Sequence, residues 1–180
     1  VTPATPADTA GLLVQAIRSD DPVLFFDPKD LFWTNGEISE PIEPIPFGVA
    51  RTVSEGDAAT VVTWSAAVPV ATRGAELLAA EGIKVDLLDL RTIWPWDEAA
   101  VIASVKKTKR LLVVHEAVEV AGFGAEVVAR VVDQVGPSNL KAAKRLAAPR
   151  IPVPFAPPLE AQVRLSPQKV VNAVKALIGL

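Results

Sequence analysis

His115 is the residue of this sequence best suited to acid–base chemistry. It is the only histidine, it follows the apolar run Leu111–Val114, and it directly precedes Glu116. A carboxylate beside an imidazole can orient the ring or stabilise its charged form. The alternative, which we favour, is a structural role in which the ring donates to a backbone carbonyl at the end of a strand. A Ser-His-Asp triad is not expected, because Ser65 lacks the Gly-x-Ser-x-Gly turn of such nucleophiles.

A Gly-x-Gly pattern follows the histidine, with Gly122 and Gly124 at the start of a predicted helix. Glycines at such a place can cradle a nucleotide phosphate, but a dinucleotide fingerprint requires a third glycine where Val127 stands. We therefore favour a tight turn that packs the helix on a sheet. Metal chemistry is not expected either, since transition-metal sites use histidine and cysteine, and the chain has one histidine and no cysteine.

Tryptophan is frequent in a chain that has no tyrosine, and two of the four tryptophans, Trp94 and Trp96, flank Pro95 in a predicted loop. Tryptophan is enriched in protein–protein interfaces because it combines a large apolar surface with one polar atom. It serves equally well to cover a hydrophobic core. The sequence leaves both roles open for Trp94 and Trp96.

The composition excludes several classes of protein. Half of the 180 residues are hydrophobic and 22% are charged, so the chain can bury a core and is not expected to be disordered. The net charge of −3 argues against nucleic-acid binding, and the basic run Lys106–Arg110 fits the end of a helix. Apolar runs are shorter than the ~20 residues that span a bilayer. We expect a soluble, intracellular domain with neither nucleic acid nor a membrane as partner.

Strands and helices alternate from residue 49 onward and would position these residues. Such alternation predicts an α/β fold with a mostly parallel sheet and helices on both faces, which is a Rossmann-like three-layer arrangement. Strands are predicted at 60–64, 84–90, 111–114 and 141–147, and helices at 68–80, 97–107, 124–135 and 167–178. Ligands of such sheets bind at the carboxyl ends of the strands, here followed by residues 64–67, 91–97 and 115–124.

The first 48 residues have a different character. A helix capped by Asp8 is predicted up to Arg18, and the apolar run Pro22–Phe26 is typical of a buried strand. One helix and one strand bury too little surface to fold alone. We therefore predict that residues 1–35 are the tail of an incomplete domain and residues 36–48 a proline-rich linker, whereas residues 49–180 form a full domain. Residues 1–26 are expected to be poorly ordered or to pack against another copy.

Six segments occur in an order and spacing that together are specific. They are Asp20–Lys29, Gly56–Trp64, Asp89–Asp97, Val114–Ala117, Gly122–Glu126 and Ile151–Glu160. In this order they resemble the beta subunit of the decarboxylating component of 2-oxo acid dehydrogenases. The likeness covers a transketolase-type C-terminal domain and the tail of a pyrimidine-binding domain. Residues 91–97 and the Pro41–Pro44 linker resemble the branched-chain type more than the pyruvate type. The family's usual aromatic-basic pair is replaced by Phe32-Trp33.

The resemblance implies an enzyme with two alpha and two beta subunits. Thiamine diphosphate and magnesium would lie between the alpha subunit and the beta subunit's N-terminal domain, and this fragment would not bind them. The C-terminal domain would contact the alpha subunit and a second beta subunit, and it would dock the lipoyl acyltransferase. The fragment alone would be inactive, in the cytoplasm of a bacterium or in the mitochondrial matrix of a eukaryote, the cytoplasm being favoured.

By the same resemblance, no residue present has a catalytic, cofactor-binding or metal-binding role. Supporting or interface roles are expected for His115, Glu116, Trp94, Trp96 and Phe123. Three alternatives remain open: another transketolase-fold enzyme domain, a free-standing nucleotide-binding Rossmann-like module, or a pure interaction domain.

Overall fold

A computed structural model describes all 180 residues as an α/β fold, as the sequence predicts. The helices are α1 (Pro6–Ile17), α2 (Ala67–Ala80), α3 (Glu98–Thr108), α4 (Gly124–Val135), α5 (Pro157–Val163) and α6 (Pro167–Ile178). The strands are β1 (Arg51–Ser54), β2 (Thr60–Thr63), β3 (Asp86–Asp89), β4 (Arg110–Val118) and β5 (Ala142–Ala148). One 3-10 turn spans Lys29–Leu31. No helix is both long and apolar enough to cross a membrane.

The five strands form one sheet in the order β1-β3-β2-β4-β5. β2, β3, β4 and β5 are parallel, and β1 pairs with β3 in the antiparallel sense at one edge. The chain passes from β2 to β3 on one side and then crosses to β4 on the other side of β2. The carboxyl ends of β2 and β4 therefore form the topological switch point, where open α/β sheets usually bind ligands.

Alternation of side chains along the strands produces two separate cores. One side of the sheet, represented by Val61, Leu87 and Leu112, packs against α2 and α6. The other side, represented by Val62 and Val113, packs against α3 and α4. Because both faces are covered, the middle residues of the central strands are apolar and buried, and the fold has three layers.

The helix ends follow the expected capping chemistry. The Asp97 side chain accepts from the backbone N–H of Ala100 at 3.0 Å and starts α3. Ser166 accepts from Lys169 N–H at 3.3 Å and starts α6, whose first residue is Pro167. Side-chain oxygens at these positions satisfy amide groups that have no partner within the helix.

One predicted strand is not formed, and two elements were not predicted. The apolar run Pro22–Phe26 is not a strand: its only backbone partner is Val1, through Val1 N to Leu24 O at 2.7 Å and Phe26 N to Val1 O at 2.9 Å. No sheet strand lies beside it, and Leu24 and Phe26 remain exposed. Strand β1 and helix α5 were not predicted, because β1 has four residues with mixed polarity and α5 lies in a proline-rich stretch.

The N-terminal helix is part of the packed structure. Thr5, not Asp8, caps α1, since Thr5 Oγ1 accepts from Asp8 N–H at 3.1 Å. Leu12 is fully buried, and the first four residues are also buried. Within this chain residues 1–12 thus pack against the rest of the structure, whereas the expectation that residues 1–26 are poorly ordered or pack against another copy stays a prediction. The proposed division at residues 35 and 48 remains a prediction.

Candidate functional site

One side of the switch point is filled by side chains of the chain itself. Trp64 follows β2 and His115 lies in the neighbouring β4, one residue beyond the Thr63–Val114 pair, so their rings meet. They stack at a centroid distance of 5.3 Å with an interplanar angle of 9°. Phe123 packs edge-on against Trp64 at 5.7 Å and against Trp96 at 6.3 Å. The four rings form an aromatic cluster on the side of the sheet that faces α3 and α4.

His115 is fully buried, and neither ring nitrogen has a hydrogen-bond partner. Burial is the main cause that lowers the pKa of His115, and positive Arg145 lowers it further. The Ala117 backbone and Glu119 oppose this effect only in part. The ring is therefore neutral at pH 7. The expected hydrogen bond from a ring nitrogen to a backbone carbonyl is therefore not formed.

The two glycines are explained by the histidine. A Cβ atom on Gly124 would lie 2.6 Å from His115 Nε2, and one on Gly122 would lie 2.8 Å from His115 Cε1. Any side chain at either position would overlap the ring. The Gly-x-Gly pattern thus allows a tight turn to close over an imidazole, where a nucleotide-binding protein would leave room for a phosphate.

Glu116 points away from His115. Successive residues of a strand face opposite sides of the sheet, so Glu116 lies on the side of α2 and α6. There it lines a cavity of about 720 Å³ together with Ala66, Arg164 and Asp30. Burial raises the pKa of Glu116, and Asp30 raises it further, whereas Arg164 lowers it. Glu116 therefore does not orient the imidazole, and the hypothesis that the two residues act as a pair is wrong.

A network of four charged residues holds α1 on the edge of the sheet. Asp8 Oδ1 lies 2.8 Å from Arg91 Nε, and Asp8 Oδ2 lies 3.5 Å from Arg51 Nε. The second carboxylate, Asp89, accepts from Arg51 Nη2 at 3.1 Å and from the Arg91 backbone N–H at 3.0 Å. Both carboxylates are at most 2% exposed. Burial raises the pKa of Asp89 despite the hydrogen bond from Arg51. We call this set the Asp8 network.

The Asp8 network was not found from the sequence. Asp89 and Arg91 are two positions apart, but Arg51 lies 38 positions before Asp89 and Asp8 lies 43 positions before Arg51, so no local spacing connects the three parts. The available signal was the pair of acidic residues within the apolar run Val85–Leu90, because a carboxylate in a buried strand requires a partner. The backbone of Arg91 also connects the N-terminal residues to the sheet, because the Arg91 carbonyl accepts from Thr2 N–H at 2.9 Å. Arg91 has a positive φ of 59°.

A second buried polar chain lies at the opposite, amino-terminal edge of the parallel strands. Ser104 Oγ donates to Asp86 Oδ2 at 2.5 Å, and Thr60 Oγ1 lies 2.7 Å from the hydroxyls of both Ser104 and Thr108. Lys107 Nζ lies 2.8 Å from Asp86 Oδ2. These groups satisfy one another and tie α3 to β2 and β3, so they serve the fold.

The structure brings together three of the five residues predicted to have supporting or interface roles. His115, Phe123 and Trp96 belong to the aromatic cluster, and Trp96 is 7% exposed, so it covers the core. Trp94 is 79% exposed and lies outside the cluster. Its interface role stays a prediction. No group of three or more His, Cys, Asp or Glu side chains is placed to hold a metal ion.

Residues 48–170 match the family model of the transketolase C-terminal domain. The chain belongs to this family. The fold agrees, since a solved structure titled "Split gene transketolase, inactive beta4 tetramer" superposes with a TM-score of 0.79 over 99% of this chain and 56% of that chain. At 22% sequence identity this likeness shows the fold alone.

Sequence relatives of this family member are beta subunits. The pyruvate dehydrogenase E1 component subunit beta of Rickettsia bellii (strain RML369-C) is 39% identical over 97% of this chain and 54% of that protein. The beta subunit of acetoin:2,6-dichlorophenolindophenol oxidoreductase from Cupriavidus necator is 41% identical over 89% and 47%, respectively. The 2-oxoisovalerate dehydrogenase subunit beta of Bacillus subtilis (strain 168) is 37% identical over 98% and 55%.

These relatives confirm the resemblance to 2-oxo acid dehydrogenase beta subunits. The chain spans about half the length of the curated relatives it matches. They do not separate the branched-chain type from the pyruvate type, because relatives of both kinds match at similar identity.

Proposed function

We propose that the chain is the C-terminal part of the beta subunit of a thiamine-diphosphate-dependent 2-oxo acid dehydrogenase. Its role would be subunit assembly and docking of the lipoyl acyltransferase. The observation that carries this proposal is the near-complete match of the chain to beta subunits, at 37 to 41% identity. The enzyme proposed here would be located in the cytoplasm of a bacterium or in the mitochondrial matrix of a eukaryote.

An assembly role is supported by the state of the switch point. In a nucleotide-binding domain this crevice has to admit a ligand. Here Trp64, His115 and Phe123 fill one side of it with their own rings. Closure of this side of the crevice supports a role in binding other subunits.

Exposed apolar side chains provide surfaces for such contacts. Between residues 13 and 38, seven large apolar side chains are at least 44% exposed: Leu13, Ile17, Leu24, Phe26, Phe32, Trp33 and Ile38. A second group along the proline-rich segment includes Phe155, which is fully exposed, and Val153. Apolar patches of this kind mark contact surfaces. We assign the first patch to the remainder of the beta subunit and the second to a partner subunit.

We infer that thiamine diphosphate and its magnesium ion are held by other parts of the assembled enzyme and not by this chain. In support, no group of three or more His, Cys, Asp or Glu side chains is placed to hold a metal ion. The cavity beside Glu116 is lined by apolar groups, by the carboxylates of Glu116, Asp30 and Glu160, and by Arg164, which already pairs with Asp30 and Glu160. In the proposed enzyme the cofactor would be held by the alpha subunit and by the N-terminal domain of the beta subunit.

The substrate would be a 2-oxo acid, with the branched-chain type favoured over pyruvate. This preference rests on residues 91–97 and on the Pro41–Pro44 linker. In the assembled enzyme the cofactor supplies the decarboxylation of the 2-oxo acid, and a lipoyl group of the acyltransferase accepts the product. The residues of this chain would position subunits and would not take part in the chemical steps.

Three measurements test the proposal. Isothermal calorimetry of the isolated chain should show no binding of thiamine diphosphate with Mg²⁺, and no decarboxylation of pyruvate or 2-oxoisovalerate should occur. The chain should co-purify with a co-expressed alpha subunit and lose this partner when Phe155 and Val153 are changed to serine. Changing the exposed residues Glu76 and Gln134 to alanine is the matched control. Binding of NAD or ATP by the isolated chain would instead favour a nucleotide-binding module.

A further inference from the structure

His115 is fully buried, and its surroundings do not stabilise a charged ring. Its ring has no solvent exposure, Trp64 lies flat on one face, and the turn formed by Gly122 to Gly124 lies against its Nε2 edge. Both ring nitrogens lack hydrogen-bond partners. A neutral imidazole tolerates this site at the cost of one unsatisfied N–H, whereas an imidazolium would bury a full charge and two unsatisfied N–H groups.

No carboxylate is available to receive the charged ring. Glu119 is the acidic residue that acts on it most directly from the loop after β4, but Glu119 Oε1 already lies 3.4 Å from Arg145 Nη2. The Arg145 side chain also donates to the Glu119 carbonyl at 2.5 Å. Arg145 itself faces the ring from β5 and repels a positive charge. Glu116, the sequence neighbour, points to the opposite side of the sheet.

The other elements around the ring contribute no charge. β2 contributes Trp64, and α4 with its preceding turn contributes Gly122, Phe123 and Gly124. A protonated ring therefore has one favourable response, which is to leave the aromatic cluster toward solvent. The way out is blocked by the Gly122–Gly124 turn, so the turn has to move with it.

We propose that His115 is an acid-sensitive lock, whose neutral ring holds the Gly122–Gly124 turn and the start of α4 against the sheet and whose protonation releases them. The turn is suited to such a release. Ala121, Gly122 and Phe123 are exposed or half-buried, and Ala121 has a positive φ of 59°. Release would uncover Trp64 and Phe123 and open the crevice at the switch point. Acid would thus convert a closed domain into one with an exposed apolar surface.

The single histidine makes the lock directly measurable. The 13C-labelled Cε1 group of His115 gives one signal in a heteronuclear NMR spectrum of the 180-residue chain, with no assignment problem. We expect its titration midpoint to lie below the ordinary histidine value of 6.5. The amides of residues 118–125 should change with the same midpoint, whereas those of α2 should stay protected. Tryptophan emission should follow the same curve in a Trp33→Phe, Trp94→Phe variant, in which Trp64 and Trp96 remain.

Two charge variants should shift this midpoint in opposite directions. Arg145→Gln removes a repelling charge and should move the midpoint to higher pH. Glu119→Gln removes an attracting charge and frees Arg145, so it should move the midpoint to lower pH. Asp133→Asn, an exposed change on α4 that does not face the ring, is the control and should leave the midpoint in place.

Three results would overturn the lock. The first is a His115 midpoint at or above 6.5, the second is a midpoint for the turn amides that differs from that of the ring, and the third is a lack of response to both charge variants. His115→Phe should remain folded at neutral pH and lose the transition of the turn. If that variant does not fold, the NMR titration of the unmodified ring still decides the question.

Discussion

Removing the Asp8 carboxylate should undock α1 from the sheet. Asp8 is 2% exposed, accepts a hydrogen bond from Thr5 Oγ1 at 2.6 Å and lies 2.8 Å from Arg91 Nε. Hydrogen bonds to charged groups contribute about 1.5–3 kcal/mol each. Breaking a buried ion pair costs about 3–5 kcal/mol, because the remaining charge stays buried. The Arg91 side chain is 16% exposed and can be partly rehydrated. We therefore expect Asp8→Ala to cost about 3 kcal/mol.

The assay is amide hydrogen exchange of residues 6–17, together with thermal unfolding. A loss of about 3 kcal/mol corresponds to about a hundredfold faster exchange in α1. If α1 unfolds together with the sheet, the melting temperature should fall by about 6–12 °C. Asp20→Ala, a change at an exposed residue of the same segment, should shift the free energy of unfolding by less than about 0.5 kcal/mol.

A double-mutant cycle separates the ion pair from other effects of the substitution. Asp8→Ala and Arg91→Met should each destabilise α1, and the double variant should cost less than the sum, with a coupling of about 1–3 kcal/mol. Purely additive effects would show that the pair contributes nothing. Unchanged exchange in α1 of Asp8→Ala would refute the claim that the Asp8 network holds this helix.

Three further predictions concern other parts of the chain. Gly124→Ala places a Cβ atom 2.6 Å from the His115 ring and should lower the free energy of unfolding by about 1–3 kcal/mol in urea titrations. Ser104→Ala should cost about 1–3 kcal/mol because it removes the hydroxyl that donates to the buried Asp86 carboxylate and lies 2.7 Å from Thr60 Oγ1, whereas Ser138→Ala at the surface should be neutral. The raised pKa of Glu116 means that the folded chain binds this proton more tightly than the unfolded chain, so stability should fall as pH rises above the ordinary value of 4.5. Urea midpoints measured over this range should lose that slope in Glu116→Gln, and an unchanged slope would contradict the assignment.

The parallel strands could be predicted because their signal is local. Leu111–Val114 is a continuous apolar run, and Thr60–Trp64 consists of β-branched residues and a tryptophan; both compositions are typical of strands. Asp97 and Ser166 mark helix starts in the same local way. β1 was missed because an edge strand of four residues needs no apolar run. The Pro22–Phe26 run was misread because an apolar sequence predicts burial but does not supply the surface that would bury it.

The candidate site was predictable in its location and not in its chemistry. The carboxyl ends of the strands follow from the order of elements, and the segments placed there, residues 64–67 and 115–124, contain Trp64, His115 and Phe123. That Glu116 faces away from His115 also follows from the period of a strand, once β4 is known to continue beyond Val114. From the sequence, the strand was predicted to end at Val114, before the histidine, whereas β4 continues to Val118. This error of a few residues led to the wrong hypothesis that Glu116 orients the ring of His115.

The meaning of the Gly-x-Gly pattern depends on which group approaches it. Glycine at a helix start shows only that some atom comes close to the backbone. In a nucleotide-binding protein that atom belongs to a phosphate, and here it belongs to the ring of His115. An internal side chain is present in every copy of the folded chain, whereas a phosphate has to bind. The same backbone feature therefore forms a permanent closure in this domain, and its state depends on the charge of the imidazole beneath it.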